Sequence, residues 1–274
     1  MPSNKSISPF DFQKEDILQL KPIRKGNNTI STDQLTEIQM QIVRTVGKYG
    51  TITRKELSLA TQKDIQASAL KQLCLNGMLN QYSKKSRDNS NSLSFYALCP
   101  NKETKAYSKK CSLTKSEYSG TEMKNILELL SVNMWHIAML HYYRNHIIHQ
   151  TISDTTSIIQ CRLPHKIELC TFVAMRYFID PDNPTDPNAI SFLTPAIRKY
   201  ERFRLLSKQH FFVIITNATG GQMEYIAKSI STSSLASYPI LITSDLAIST
   251  SNPLEWLYLY SNKGNYKKRT LLSL

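Results

Sequence analysis

Asp154 and Glu168 are the two carboxylates whose setting invites a catalytic reading, because each stands at a short, strand-like apolar run. Metal-dependent cleavage of a phosphodiester needs an acid on one strand and an acid-x-Lys set on the next. The acids hold magnesium and the lysine orients the attacking water. Cys170 stands two residues after Glu168, at the place of the lysine, and Lys166 falls before it. The pair therefore reads as a degenerate scaffold rather than an intact nuclease site. Four histidines, His136, His141, His146 and His149, crowd a second stretch at spacings of 5, 5 and 3. Only His146 and His149 share a helix face at such spacing, and no His-Glu-x-x-His or cysteine pair completes a ligand set. Neither a metal nor a cofactor is expected. Thr216-Asn-Ala-Thr-Gly-Gly-Gln follows a strand-like run and opens a helix, where backbone amides are able to cradle an anion. It lacks the glycine spacing of a dinucleotide loop and the lysine of a phosphate loop, so it reads as a tight turn. Cys161 and Cys170, each within a presumed strand and without a neighbouring base, read as core thiols.

The stronger signal is cationic. The 274 residues carry 34 Lys+Arg against 21 Asp+Glu, a formal charge of +13. Up to residue 118 there are 19 basic and 10 acidic residues; the remainder holds 15 and 11. A basic N-terminal half attracts polyanions, nucleic acid first among them. Five cysteines (Cys74, Cys99, Cys111, Cys161, Cys170), an odd number without paired spacing, point to a reducing cytoplasm. The first ten residues lack the apolar core of a secretory signal, and no run approaches 18 apolar residues, so neither export nor a membrane span is expected. With 41% hydrophobic and 20% charged residues the composition is globular, and the length suits about two domains.

The elements that must position these residues follow from pattern. Residues 1–30 read as a flexible basic arm with a short helix around 12–18. Ser31 or Thr32 is expected to cap a first helix whose stripe is Leu35, Ile38, Ile42, Val43 and Val46, interrupted by Gln39. Thr53 with Glu56 forms a capping box for a short helix over 54–60. A third helix spans 64–76 with Leu70, Leu73 and Cys74 inward. Strands over 78–82 and 93–98 flank a polar basic loop. A linker occupies 101–120, then helices over 121–131 and 133–148, rich in apolar residues on several faces and either buried between domains or forming a dimer surface, with burial preferred. Strands at 156–163, 167–178, 210–216 and 239–243 alternate with helices at 194–208, 221–230 and 253–260. That alternation predicts a mostly parallel sheet, and 263–274 reads as a basic mobile tail.

Helix, short helix, helix and hairpin over 31–100, with the seam Leu73-Cys-Leu-Asn-Gly-Met-Leu, resembles a winged helix-turn-helix domain. With the β-β-α-β-α-β order after it, and the block from Tyr200 to Asp245, the chain is similar to the replication-relaxation family of plasmid and mobile-element proteins. That resemblance implies an α+β/α/β two-domain chain. An N-terminal winged helix-turn-helix would be joined to a C-terminal α/β domain over 121–262, of restriction-endonuclease-like topology.

A winged helix places its third helix in the major groove, where polar side chains pair with base edges. The outward face then carries Lys63, Asp64, Ser68, Lys71 and Gln72; Gln72 suits adenine, and Lys71 suits guanine or phosphate. Arg54 and Lys55 open the second helix, whose amides also favour phosphate. Lys84, Lys85 and Arg87 sit on the wing, where backbone or minor-groove contact is expected. The expected protein is a non-enzymatic, sequence-specific binder of double-stranded DNA, and the resemblance to the replication-relaxation family implies a setting in replication, transfer, transposition or transcriptional control of a plasmid or other mobile element. It is expected to be a homodimer, with further protein partners met through the α/β domain. A metal-dependent nuclease or recombination factor with an atypical site at Asp154 and Glu168, and a protein-interaction adaptor, stand as alternatives.

Overall fold

A computed structural model describes residues 10, 17–20, 31–85, 93–111, 123–153, 155–164, 167–177, 189–201, 207, 209–217, 220–255, 257–260 and 266–269. The fold is mixed α/β, with eight α-helices and two sheets among these residues. Two compact units divide it, residues 12–133 and residues 1–11 with 134–274, so the boundary falls inside one helix. No helix among the described residues is long and apolar enough to cross a membrane.

In the first unit, strand β1 (Ile17–Leu20) is followed by α1 (Glu37–Tyr49), β2 (Thr51–Thr53), α2 (Arg54–Thr61) and α3 (Ala67–Leu75). Strands β3 (Leu79–Lys85) and β4 (Leu93–Leu98), then α4 (Lys102–Lys110), complete it together with the start of α5 (Met123–Tyr143). The sheet order is β1-β3-β4-β2, antiparallel throughout. Tyr82 and Phe95 face each other across β3 and β4 with their rings stacked at 5.4 Å, which pins the hairpin register. The apolar stripe of α1 (Ile42, Val43, Val46) is buried with Leu57, Leu70 and Leu73. Each such side chain contributes about 1.5–3 kcal/mol by leaving water. Asn133, on α5, donates from its amide to the carbonyls of Tyr49 (3.0 Å) and Thr51 (2.7 Å), tying the helix to the α1–β2 connection.

Several expectations change here. α1 is capped by Thr36, not by Ser31 or Thr32, because residues 32–34 form a separate 3-10 turn. Gln39, which interrupts the apolar stripe, is the reciprocal partner: its Oε1 accepts from the Thr36 amide at 2.9 Å. Residues 17–20 are a strand, so 17 and 18 are extended where a helix over 12–18 was expected; the rest of 12–18 lies outside the described residues. α4 fills half of the expected linker, and residues 121–148 hold one α-helix, not two, before the chain becomes extended.

In the second unit, β5 (Ile147–Ser153), β6 (Thr156–Arg162) and β7 (Leu169–Tyr177) form an antiparallel meander. Helix α6 (Leu193–Tyr200), β8 (Gln209–Thr216), α7 (Gly220–Ser231), β9 (Ile240–Ser244), α8 (Asp245–Thr250), β10 (Leu257–Tyr260) and β11 (Tyr266–Arg269) follow. The sheet runs β11-β10-β9-β8-β7-β6-β5 in sequence order. Only the β7–β8 and β8–β9 pairings are parallel, so the sheet is mixed rather than mostly parallel. Residues 257–260 are strand, not helix, and 266–269 of the expected tail pair with them. The two parallel steps each need a crossover helix, α6 and α7. Both pack on one face, Ile197 and Ile226 joining Val173, Phe212 and Ile214 in a single core. The opposite face carries Ser157, paired in register with Ala174, and receives α5 through His136. Cover on both sides explains why β7 is buried from Cys170 to Arg176 without alternation.

Candidate nucleic-acid interface

The sequence between α2 and α3 is a tight, heavily bonded turn. Gln62 adopts φ 56°, the left-handed conformation that ends α2, and its amide donates to the Ser58 carbonyl. Ser58 Oγ accepts from the Ile65 amide at 3.2 Å, while Arg54 Nε donates to the Ile65 carbonyl at 2.6 Å. Ile65 itself is fully buried. The three contacts hold residues 62–66 against α2 and set where α3 begins. Arg54 was expected to touch phosphate; its Nε is instead engaged with the turn, and its Nη2 lies 3.7 Å from Asp64. That pair is exposed and contributes little on its own. Lys55, next to it, is exposed.

α3 has two faces. Leu70, Leu73 and Cys74 are buried and fix its rotation. Ser68, Lys71 and Gln72 are exposed on the opposite side, and Lys63 is exposed in the preceding turn. Gln72 Nε2 donates to Asn76 Oδ1 at 3.1 Å, so this amide is oriented along the helix. The sequence expectation for this face therefore finds its residues together: an ammonium, a hydroxyl and a carboxamide within two turns, on a helix whose back is anchored in the core. Such a face presents hydrogen-bond donors and acceptors in a rigid array, which is what base-edge readout requires.

The hairpin differs from expectation. β3 runs on through Lys84 and Lys85, so both are strand residues rather than loop residues. Lys84 is 1% exposed and opposes Leu18 of β1, so it is not a surface cation as expected. Lys85, the last residue of β3, is exposed. Arg87 lies outside the described residues.

Glu56 is the buried ionisable group under this site. Its Oε2 accepts from the Thr53 amide at 2.6 Å, closing the capping box that the sequence announces, while Thr53 Oγ1 accepts from the Glu56 amide. Full burial pushes its carboxyl up to about 8, against the pull of the Thr53 hydrogen bonds and the Lys55 charge. At neutral pH it is held protonated, so the foundation of α2 carries no formal charge.

The alternative chemistry was placed on two carboxylates of the second unit. Asp154 lies outside the described residues. Glu168 precedes β7 rather than lying on it, and its Oε2 accepts from Gln209 Nε2 at 3.0 Å. Gln209 Oε1 in turn accepts from the buried Cys170 thiol at 3.3 Å. Burial pushes the Cys161 thiol up to about 12, so it is a core thiol. His136 is a buried structural residue: its two ring nitrogens lie 2.8 Å from Ser157 Oγ and from Gln150 Oε1. Because the Gln oxygen only accepts, the Nε2–Oε1 bond is donated by the ring. His146 ends a 3-10 turn and His149 lies on β5, so they share no helix face. Among the described residues no group of three or more His, Cys, Asp or Glu could hold a metal ion. Gly220 and Gly221 open α7; Ala218 and Thr219 lie outside the described residues.

Sequence reasoning missed the cations of α4, where Lys102, Lys105 and Lys109 are exposed while Thr104, Tyr107 and Ser108 are buried. The signal was present as Asn101 with Thr104, a capping box whose reciprocal bonds measure 2.9 and 3.3 Å. No protein-family model, curated protein or solved structure significantly matches the chain.

Proposed function

We propose that this chain is a sequence-specific double-stranded DNA-binding protein that reads base edges with α3 and needs no catalytic chemistry of its own. The single observation that carries the reading is the α3 face of Ser68, Lys71 and Gln72, exposed opposite a buried Leu70–Leu73–Cys74 anchor. Lys63, Lys85 and Lys55 then supply phosphate contacts around it, as the concentration of positive charge before residue 118 leads one to expect. The order α1-β2-α2-α3-β3-β4 supports reading residues 31–100 as a winged helix-turn-helix, with the hairpin as wing. The sequential mixed sheet of the second unit, with helices on both faces, supports a restriction-endonuclease-like scaffold used for assembly and partner contacts. The resemblance to replication-relaxation proteins extends the proposal to a cytoplasmic role in replication, transfer, transposition or transcription of a mobile element. A symmetric operator and a homodimer belong to the same reading.

Selection of bound fragments from a random DNA library by the full chain tests it. An enriched motif supports sequence-specific binding, and a palindromic motif supports the dimer. Uniform recovery, or none across a salt titration, overturns it in favour of an adaptor. Magnesium-dependent nicking of supercoiled plasmid that disappears in Glu168→Ala would overturn its non-enzymatic part.

A further inference from the structure

We infer that α4 is a second nucleic-acid-contacting element, whose lysine stripe Lys102–Lys105–Lys109 lies along the phosphate backbone of the duplex that α3 reads. The inference rests on the DNA-binding reading above and adds to it a surface that the sequence pattern assigned to a linker.

Three observations carry it. The stripe is one-sided: its lysines are spaced by three and four residues and are exposed, whereas Thr104, Tyr107 and Ser108 are buried on the opposite side. Neighbouring lysines of the stripe therefore rise about 5 Å per turn along one line. A phosphate backbone, with its regularly repeated negative charge, is the occupant that such a row of ammonium groups attracts.

The second observation is rigidity. Asn101 caps α4 through the Thr104 amide, and its side-chain amide donates to the Gly77 carbonyl at 2.6 Å. The Thr104 hydroxyl also donates to the Cys99 carbonyl. Gly77, at φ 69°, belongs to the turn that ends α3, where the Met78 amide donates to the Leu73 carbonyl at 2.9 Å. The root of α4 is therefore bonded to the turn that ends α3, so the row of ammonium groups is held in a fixed relation to the reading helix. The third observation is chemical. Lysine presents a compact point charge that binds phosphate without a fixed bidentate geometry. A regularly charged polyanion therefore suits the stripe.

The test is the salt dependence of binding by the full chain to a fluorescent duplex of arbitrary sequence, for the wild type and for the triple variant Lys102→Gln, Lys105→Gln, Lys109→Gln. The slope of log K against log salt should become shallower by about 2–3, since each lost phosphate contact removes about 0.9. The loss should be the same for a selected target. The matching triple Lys→Arg variant should keep the wild-type slope, which separates charge from damage to the helix. A wild-type slope in the Gln variant, or a shallow slope in the Arg variant, overturns the role of α4 while leaving α3 as reader. Absence of salt-dependent binding in the wild type overturns both.

Discussion

Arg54 Nε donates to the main-chain carbonyl of Ile65 across the turn that joins α2 to α3, at 2.6 Å. A side chain that sequence position marks as a phosphate ligand thus acts as a strut. Arg54→Ala should lower the stability of the full chain by about 1.5–3 kcal/mol, the range for a hydrogen bond from a charged donor, read from urea unfolding. It should leave the salt slope of DNA binding unchanged. A slope reduced by about one contact would mean that the guanidinium reaches phosphate after all.

Lys71 and Gln72 should behave differently from Lys85. Gln72→Ala or Lys71→Ala should narrow the gap between target and random duplex by about 1–3 kcal/mol, whereas Lys85→Ala should weaken all duplexes alike. Lys84→Gln should change neither the gap nor the slope, because that residue is buried. Anisotropy titrations against target and scrambled duplexes separate the four. Equal behaviour of all four would show that the reading face is misplaced.

Glu56 makes stability depend on pH in a direction opposite to that of an ordinary paired carboxylate. Its folded value is raised to about 8, from an unpaired value of 4.5. Below 4.5 both states hold the proton and there is no dependence. Between 4.5 and about 8 only the folded state holds it, so stability falls by up to ~1.4 kcal/mol per pH unit. Above 8 the dependence ends. Unfolding free energies from pH 5 to 8 should show this decline in the wild type, and Glu56→Gln should flatten it. An unchanged slope in the variant would assign the dependence to another group.

Arg176 and Asp245 form an ion pair, 2.8 Å apart and without solvent access, between β7 and the start of α8. Arg176 also donates to the Phe10 carbonyl at 2.7 Å. Asp245→Asn should cost about 3–5 kcal/mol, because it strands a buried guanidinium charge. Arg176→Met with Asp245→Leu together should cost less than the single change. Chemical denaturation of the three chains decides it.

What was legible in the sequence was whatever rests on local chemistry. Thr53 and Glu56 announce α2 because a capping box is a contact over three residues, and Leu70, Leu73 and Cys74 mark the inner face of α3 because helical spacing is local. Lys71 and Gln72 are exposed as their positions require. What was hidden depended on distant strands. Lys84 reads as a loop cation until β1, far away in sequence, lies beside it. Ile147 and Ile148 look like the end of a helix over 133–148, since the strand character of Ile147–Ser153 comes from pairing with β6. The Leu-Tyr-Leu-Tyr of β10 is equally apolar as helix or strand, and β9 and β11 decide it. α4 escaped notice because its buried face is made of Thr104, Tyr107 and Ser108 rather than aliphatic residues. Gln209, the partner that bonds Glu168, comes beside it only through the β7–β8 pairing, which the sequence does not announce.

Strand β1 has a practical consequence for anyone dissecting the protein. Helical pattern starts after residue 30, so residue 31 is the natural place to cut when excising the N-terminal module. A fragment begun there would lose the ladder from Ile17↔Lys85 to Leu20↔Tyr82 and present the raw outer edge of β3 to its neighbours. Such an edge recruits strands from other molecules, so the shortened piece should clump on concentration, and a fragment begun ahead of residue 17 should stay dispersed.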